Sequence, residues 1–224
     1  MKYHLYHLGD SALVIDYGNN IDEKLNDEVN SRFHQFNSLQ LPWVKDLVPA
    51  YSSLTIHYDL LYLSRQLKSD SVFDYVKDFV REKIQEEIKV DIASRDVIRI
   101  PLSYDEESAP DIKFICESKN ITREEVIRIF CSRSYRIYML GFLPGFPYMG
   151  EVDERIAVGR KEQPVNVKGG SVGIAGKQTG IYPLDSPGGW QIIGRTPLKL
   201  FNAGRENPVL LKAGTMVEFY AFYF

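Results

Sequence analysis

Glycine and proline are concentrated in one part of this chain. Twelve of its 16 glycines and six of its 11 prolines fall between Gly141 and Pro197. Glycine frees the backbone for positive φ and proline removes an amide donor, so neither suits the interior of a regular helix. The stretch is left with short strands broken by frequent turns. Turn signals stand at Lys168-Gly169-Gly170, at Asp185-Ser186-Pro187-Gly188-Gly189 and at Gly194, as such a chain requires. Phe142, Phe146, Tyr148, Ile174, Tyr182, Trp190, Ile192 and Ile193 supply apolar bulk between the turns. A compact β-barrel or folded sandwich fits, and disorder does not.

Upstream the pattern is helical. Leu25, Val29, Phe33 and Phe36 recur at helical spacing within Asp22–Phe36, and Val72, Val76, Val80, Ile84 and Ile88 form a stripe flanked by Phe73 and Phe79. Ser69 or Ser71 can cap that second helix. Strands are expected over His7–Tyr17, with a turn at Gly9-Asp10, and over Val44–Tyr58, with a break at Pro49. Residues 1–92 therefore form a small α+β sandwich. A second unit, 93–224, opens with a strand over Asp96–Tyr104. A short helix follows, starting at Ser108–Asp111 with Pro110 in its first turn and running through Cys116. Thr122 and Glu125 make a capping box for a further helix. Strands at Tyr135–Phe142 and Thr215–Phe224 frame the glycine-rich stretch. The fold class is thus α+β.

The chain has 224 residues and a net charge of −3. Nucleic-acid binding proteins carry a strongly basic face, so that partner class is not expected. The halves differ mildly, residues 1–92 carrying net −5 and 93–224 net +2, too little to imply a membrane or polyanion. Asp10 and Asp16 interrupt any leader-like apolar run near Met1, and no stretch reaches the ~18 apolar residues of a membrane span. Cys116 and Cys131 form no CxxC pair and read as free thiols of a reducing cytoplasm.

All four histidines, His4, His7, His34 and His57, lie in the first quarter. The β-rich unit cannot build a Ser-His-Asp or His-based metal site from its own residues. Gly173–Thr179 reads GIAGKQT but is no phosphate loop. Ser171 and Gln178 stand where that motif needs Gly and Ser/Thr, and no helix follows. Residues 141–200 hold seven basic and five acidic side chains, so a pocket there suits a small anion. Arg195, between Gly194 and Thr196, is the candidate for a bidentate contact to carboxylate or phosphate.

GFLPGFPYMG (Gly141–Gly150) and GSVGIAGKQTGIYPLDSPGGWQIIGRTP (Gly170–Pro197) resemble a known family. Further matching fragments are LGDSALVIDYG (Leu8–Gly18), VKDLVPAYSSLTIHYD (Val44–Asp59) and TREEVIRIF (Thr122–Phe130). The family comprises the B subunit of bacterial 5-oxoprolinase, allophanate hydrolase subunit 1 and the inhibitor of a sporulation histidine kinase, built on carboxyltransferase subdomains C and D. The resemblance implies a cyclophilin-like β-barrel after the N-terminal domain. It implies work in a complex with a homologous C subunit and a third, ring-opening subunit, converting 5-oxoproline to glutamate at the expense of ATP. ATP would bind in that complex, on this chain or on its partner. The alternatives are an inhibitor binding a sporulation-type histidine kinase and a carboxyltransferase or allophanate hydrolase subunit. Two positions depart from relatives: Phe130 stands where a His is common, and Asp105-Glu106 replaces a Gly-Gly after Tyr104.

The expected ligand pocket is walled by Gly141–Tyr148 and Gly176–Arg195. Phe142, Phe146, Tyr148, Tyr182 and Trp190 give apolar walls, Gly145 and its fellow glycines expose backbone amides, and Gln178, Thr179, Ser186, Gln191 and Arg195 give polar contacts. In the competing reading the aromatics are core and the glycines serve turns. No residue is assigned a catalytic role, and no metal site is expected.

Overall fold

The computed structural model describes residues 1–67, 71–86 and 97–222, in two units, Met1–Ala93 and Ser94–Phe224. In the first, β1 (His4–His7) and β2 (Ala12–Asp16) form a hairpin whose turn carries Gly9 at φ +62°. Helix α1 (Glu23–Ser38) follows, then β3 (Val44–Pro49), β4 (Ser53–Tyr58), α2 (Leu60–Gln66) and α3 (Val72–Gln85). The sheet is antiparallel in the order β1-β2-β4-β3. Asp22 caps α1 by accepting from the Leu25 amide at 2.9 Å, and Ser71 caps α3 by accepting from the Asp74 amide at 3.2 Å. The two stripes then bury Val29, Phe36, Val76, Val80 and Ile84 against Leu13, Ile15, Leu54 and Ile56. Each such side chain contributes about 1.5–3 kcal/mol on burial. Ser69 and Ile88 lie outside the described residues.

The strand break expected at Pro49 is where β3 ends, on an edge strand that tolerates the missing amide donor. The reversal comes at residues 50–52. Helix α2 goes unseen in the sequence, since seven residues are too few to show a stripe; Asp59 caps it through the Tyr62 amide at 2.9 Å.

The second unit contains β5 (Val97–Leu102), α4 (Ile112–Lys119), α5 (Arg123–Cys131), β6 (Ser134–Leu140), β7 (Pro147–Gly150), β8 (Val165–Val167), β9 (Ser171–Ala175), β10 (Gln178–Ile181), β11 (Ser186–Gly188), β12 (Gln191–Arg195) and β13 (Met216–Ala221). Seven of these strands form one sheet in the order β12-β9-β10-β7-β6-β13-β5, antiparallel except for the β13–β5 pair. Ser103 and Arg195, just beyond β5 and at the end of β12, exchange both backbone hydrogen bonds at 2.8 and 2.9 Å. That bridge brings the outer strands together, so the sheet is a nearly closed barrel. β8 and β11 pair as a separate ribbon.

Helix α5 is capped as its sequence predicts, Thr122 accepting from the Glu125 amide at 3.2 Å. Helix α4 starts later than expected. Ser108 turns back to Asp105, its amide donating at 2.8 Å. Asp111, at the N-terminal end of α4, is diverted from capping: its carboxylate accepts from the Ile192 amide at 2.6 Å and pairs with Lys161 at 2.5 Å. Inside the barrel Ile100, Leu102, Val172, Ile174, Ile181, Ile193 and Val217 meet Val126, Ile129 and Phe130 of α5. Phe130 is fully buried, its ring 5.0 Å from those of both Tyr135 and Phe219.

Candidate functional site

A second apolar cluster, separate from the barrel interior, is built from the glycine-rich motifs. It joins Phe146, Val167, Ala175, Tyr182, Trp190 and Ile192, with Leu143 and Tyr148 at its margin. Phe146 is its centre, with ring centroids of Tyr148, Tyr182, Trp190 and Phe142 at 4.9, 5.2, 5.5 and 5.7 Å. The rings reach the sheet because Gly173 and Gly180, cross-strand partners on β9 and β10, lack side chains. A Cβ on Gly180 would lie 2.8 Å from the Phe146 ring, and one on Gly173 2.9 Å from Trp190 Cβ.

The β6–β7 connection holds Phe142 at the edge of this cluster. Gly141 N–H donates to Phe146 O at 3.1 Å, Leu143 N–H to Gly141 O at 2.7 Å, and Phe146 N–H to Leu143 O at 3.0 Å. This knot places Phe142 at φ +65°, a costly conformation for a bulky residue, with 62% of its surface exposed. An aromatic ring presented to solvent from a strained backbone fits a binding role better than a packing one.

The cation at the cluster is Arg160. Its guanidinium lies 6.0 Å from the Trp190 ring centroid. Burial raises the hydroxyl pKa of Tyr148 above that of free tyrosine, and the Arg160 charge pulls against it. Tyr182 is likewise raised by burial, opposed by a hydrogen bond from the Trp190 backbone amide and by Arg160. Both phenols therefore stay protonated at neutral pH.

The structure distributes the expected pocket residues unevenly. Phe142, Phe146, Tyr148 and Tyr182 come together. Phe146 and Tyr182, each 1% exposed, serve as core of the second cluster rather than as open walls. Thr179 is fully buried with its hydroxyl donating to Gly173 O at 2.9 Å. Gln191 is buried and donates through Nε2 to Gly159 O at 3.3 Å. Gly145 sits at φ +79° in the β6–β7 connection. Gln178 opens β10 opposite Ala175 and Gly150. Ser186 starts β11, its buried hydroxyl without a hydrogen-bond partner among the described residues. Arg195 is engaged elsewhere: its guanidinium is 3.7 Å from Glu107, which Lys168 also holds at 2.7 Å. Lys168, then Arg195, keep the Glu107 carboxyl below its usual range. The sequence singled out Arg195 for its neighbours in the chain and passed over Arg160, whose ring partner is 30 residues away.

A cleft of about 630 Å³ opens on another side of the unit, lined by Ser103, Tyr104, Asp105, Arg123, Ile127, Arg128, Cys131 and Phe222 among others. It coincides with the Asp105-Glu106 departure. Asp105 accepts from the Ser103 hydroxyl at 2.6 Å and the Ser108 amide at 2.8 Å, which hold its pKa down at about 2. Tyr104 Oη lies 3.1 Å from Cys131 Sγ, and burial raises the pKa of that thiol. Phe130, the other departure, faces the core. Among the described residues no three His, Cys, Asp or Glu side chains stand together as a metal-binding group, and no helix is long and apolar enough to cross a membrane.

Comparison with known proteins places these features in one family. The family described as carboxyltransferase domain, subdomain C and D, matches residues 3–211. The chain is 40% identical over 222 residues to the B subunit of 5-oxoprolinase from Bacillus subtilis (strain 168), covering 98% of this chain and 92% of that one. It is 28% identical over a 242-residue alignment to urea amidolyase of Lachancea kluyveri, spanning 95% of this chain but 13% of that much longer protein. The crystal structure of TTHA0988 superposes with a TM-score of 0.81 at 30% identity, over 95% of this chain and 40% of that one. The chain is a member of the carboxyltransferase domain, subdomain C and D, family.

Proposed function

We propose that this chain is the B subunit of a multi-subunit ATP-dependent 5-oxoprolinase, which opens 5-oxoproline to glutamate together with a homologous C subunit and a third, ring-opening subunit. The observation that carries the proposal is the near full-length match to a 5-oxoprolinase B subunit, 40% identical over 98% of this chain and 92% of that one. The match to urea amidolyase reaches only a small part of that enzyme and gives less support to a role in urea chemistry. The second unit lacks histidine entirely, so a full acid–base set is hard to assemble from it alone. The isolated chain is expected to show no turnover. Its complex operates in the cytoplasm, with ATP held in the assembly.

The test is co-expression with the neighbouring subunits, followed by assay of oxoproline-dependent ATP hydrolysis and glutamate release. Activity that requires all three chains supports the proposal. An assembled complex inert towards 5-oxoproline refutes it, as does full turnover by this chain alone. Inhibition of a sporulation-type histidine kinase by such an inert preparation would favour the regulatory alternative.

A further inference from the structure

We infer that Arg160 is the anion anchor of a small-carboxylate site on the aromatic cluster of the second unit. The segment around it is tied to the barrel on both sides. Gly176 N–H donates to Val158 O at 2.7 Å, and Gln191 Nε2 to Gly159 O at 3.3 Å. Lys161 N–H donates to Gly189 O at 2.7 Å, while Lys161 Nζ pairs with Asp111 at 2.5 Å. The Arg160 backbone is thus fixed before any ligand arrives, and its guanidinium rests near the Trp190 ring at 6.0 Å. A preset arginine loses less freedom on binding than a mobile one.

Arg160 is exposed and has no ion pair among the described residues, whereas Arg195, Lys161 and Lys168 each face a carboxylate. The half-buried Tyr148 ring stands 5.9 Å from that of Trp190, at the margin of the same cluster. An exposed guanidinium outside any ion pair matches a monoanion, and its planar fork matches a carboxylate. Phe142 and Tyr148 offer ring surface to the remainder of the ligand. The class is a small carboxylate with a flat or apolar body. That 5-oxoproline is such a ligand rests on the function proposed above; the site itself rests on the geometry.

The test is direct binding to the purified full-length chain. A Trp43→Phe background leaves Trp190 as the only tryptophan, so its fluorescence reports on the site. 5-Oxoproline is titrated, with neutral 2-pyrrolidone and inorganic phosphate as comparison probes. Saturable quenching by 5-oxoproline is expected, with weaker responses to the other two. Arg160→Ala should weaken binding about 10- to 100-fold, the loss of a charge-assisted contact. Arg160→Lys should recover part of it, and Arg195→Ala should change nothing. No binding by the parent chain, or equal binding by Arg160→Ala with an unchanged melting temperature, overturns the inference. The activity assay of the complex is read separately. An inert complex whose chain still binds carboxylate through Arg160 removes the oxoprolinase reading and keeps the site; an active complex indifferent to Arg160→Ala does the reverse.

Discussion

Gly180→Ala tests whether the aromatic cluster is seated on the barrel sheet as described. The added Cβ would stand 2.8 Å from Phe146 Cε1 and Cζ and 2.8 Å from Pro147 O. The Phe146 ring cannot swing aside, because four other rings surround it at centroid distances of 4.9 to 5.7 Å. Pro147 O belongs to the backbone of β7, which pairs with both β6 and β10. Overpacking of one methyl group in such a place costs about 1–3 kcal/mol. For a chain of this size each kcal/mol lowers the melting temperature by about 2–4 °C, so a fall of roughly 2–12 °C is expected. Gly159→Ala is the control: nothing lies within 4 Å of its added Cβ, and its effect should stay within about 0.5 kcal/mol. Urea denaturation followed by Trp190 fluorescence in a Trp43→Phe background measures both. If Gly180→Ala proves as neutral as Gly159→Ala, the rings do not rest on the glycine pair and the site geometry built on them fails.

Two further outcomes are expected. Asp105 has a folded-state pKa of about 2 against about 3.9 unfolded. The stability it adds is therefore complete above about pH 4 and is lost as pH falls through 2. The difference in urea midpoint between wild type and Asp105→Asn should shrink from pH 5 to pH 2.5, and a constant difference would contradict the hydrogen bonds assigned to this carboxylate. Residues 97–222 expressed alone should unfold cooperatively and keep near-ultraviolet circular dichroism from buried aromatics; a fragment without that signal would show that the barrel needs the first unit to fold.

What the sequence reveals depends on how far apart the interacting residues lie. Helices α1 and α3 and the Thr122 cap are local, so periodicity and spacing disclose them. The density of glycine between 141 and 197 discloses strands for the same reason, since each turn is specified by its own residues. Asp111 shows the limit. It looks like a helix cap beside Pro110, yet its carboxylate serves Ile192 and Lys161, 81 and 50 positions away. Glu107 lies by Arg195 and Trp190 by Arg160, pairings that no local pattern encodes. The cleft beside Tyr104 is assembled from the segment after β5, from α5 and from the end of β13, and no single segment announces it. The aromatics of the glycine-rich motifs serve in part as core, with Phe142, Tyr148 and Arg160 forming the exposed margin.

The parallel pairing of β5 with β13 has a consequence for biosynthesis. Every contact between these strands, from Val97 with Met216 to Leu102 with Ala221, spans 119 residues. β13 is also an interior strand, lying between β6 and β5, so β5 has no place in the sheet until β13 exists. Translation at about 5–20 residues per second leaves β5 waiting roughly 6–24 s for its neighbour. During that interval the first unit already possesses all its strands and can settle, while the barrel's apolar strands stay unsealed on the ribosome. A stop codon before residue 216 would remove β13 and with it the pairings that join β5 and β6 in the sheet.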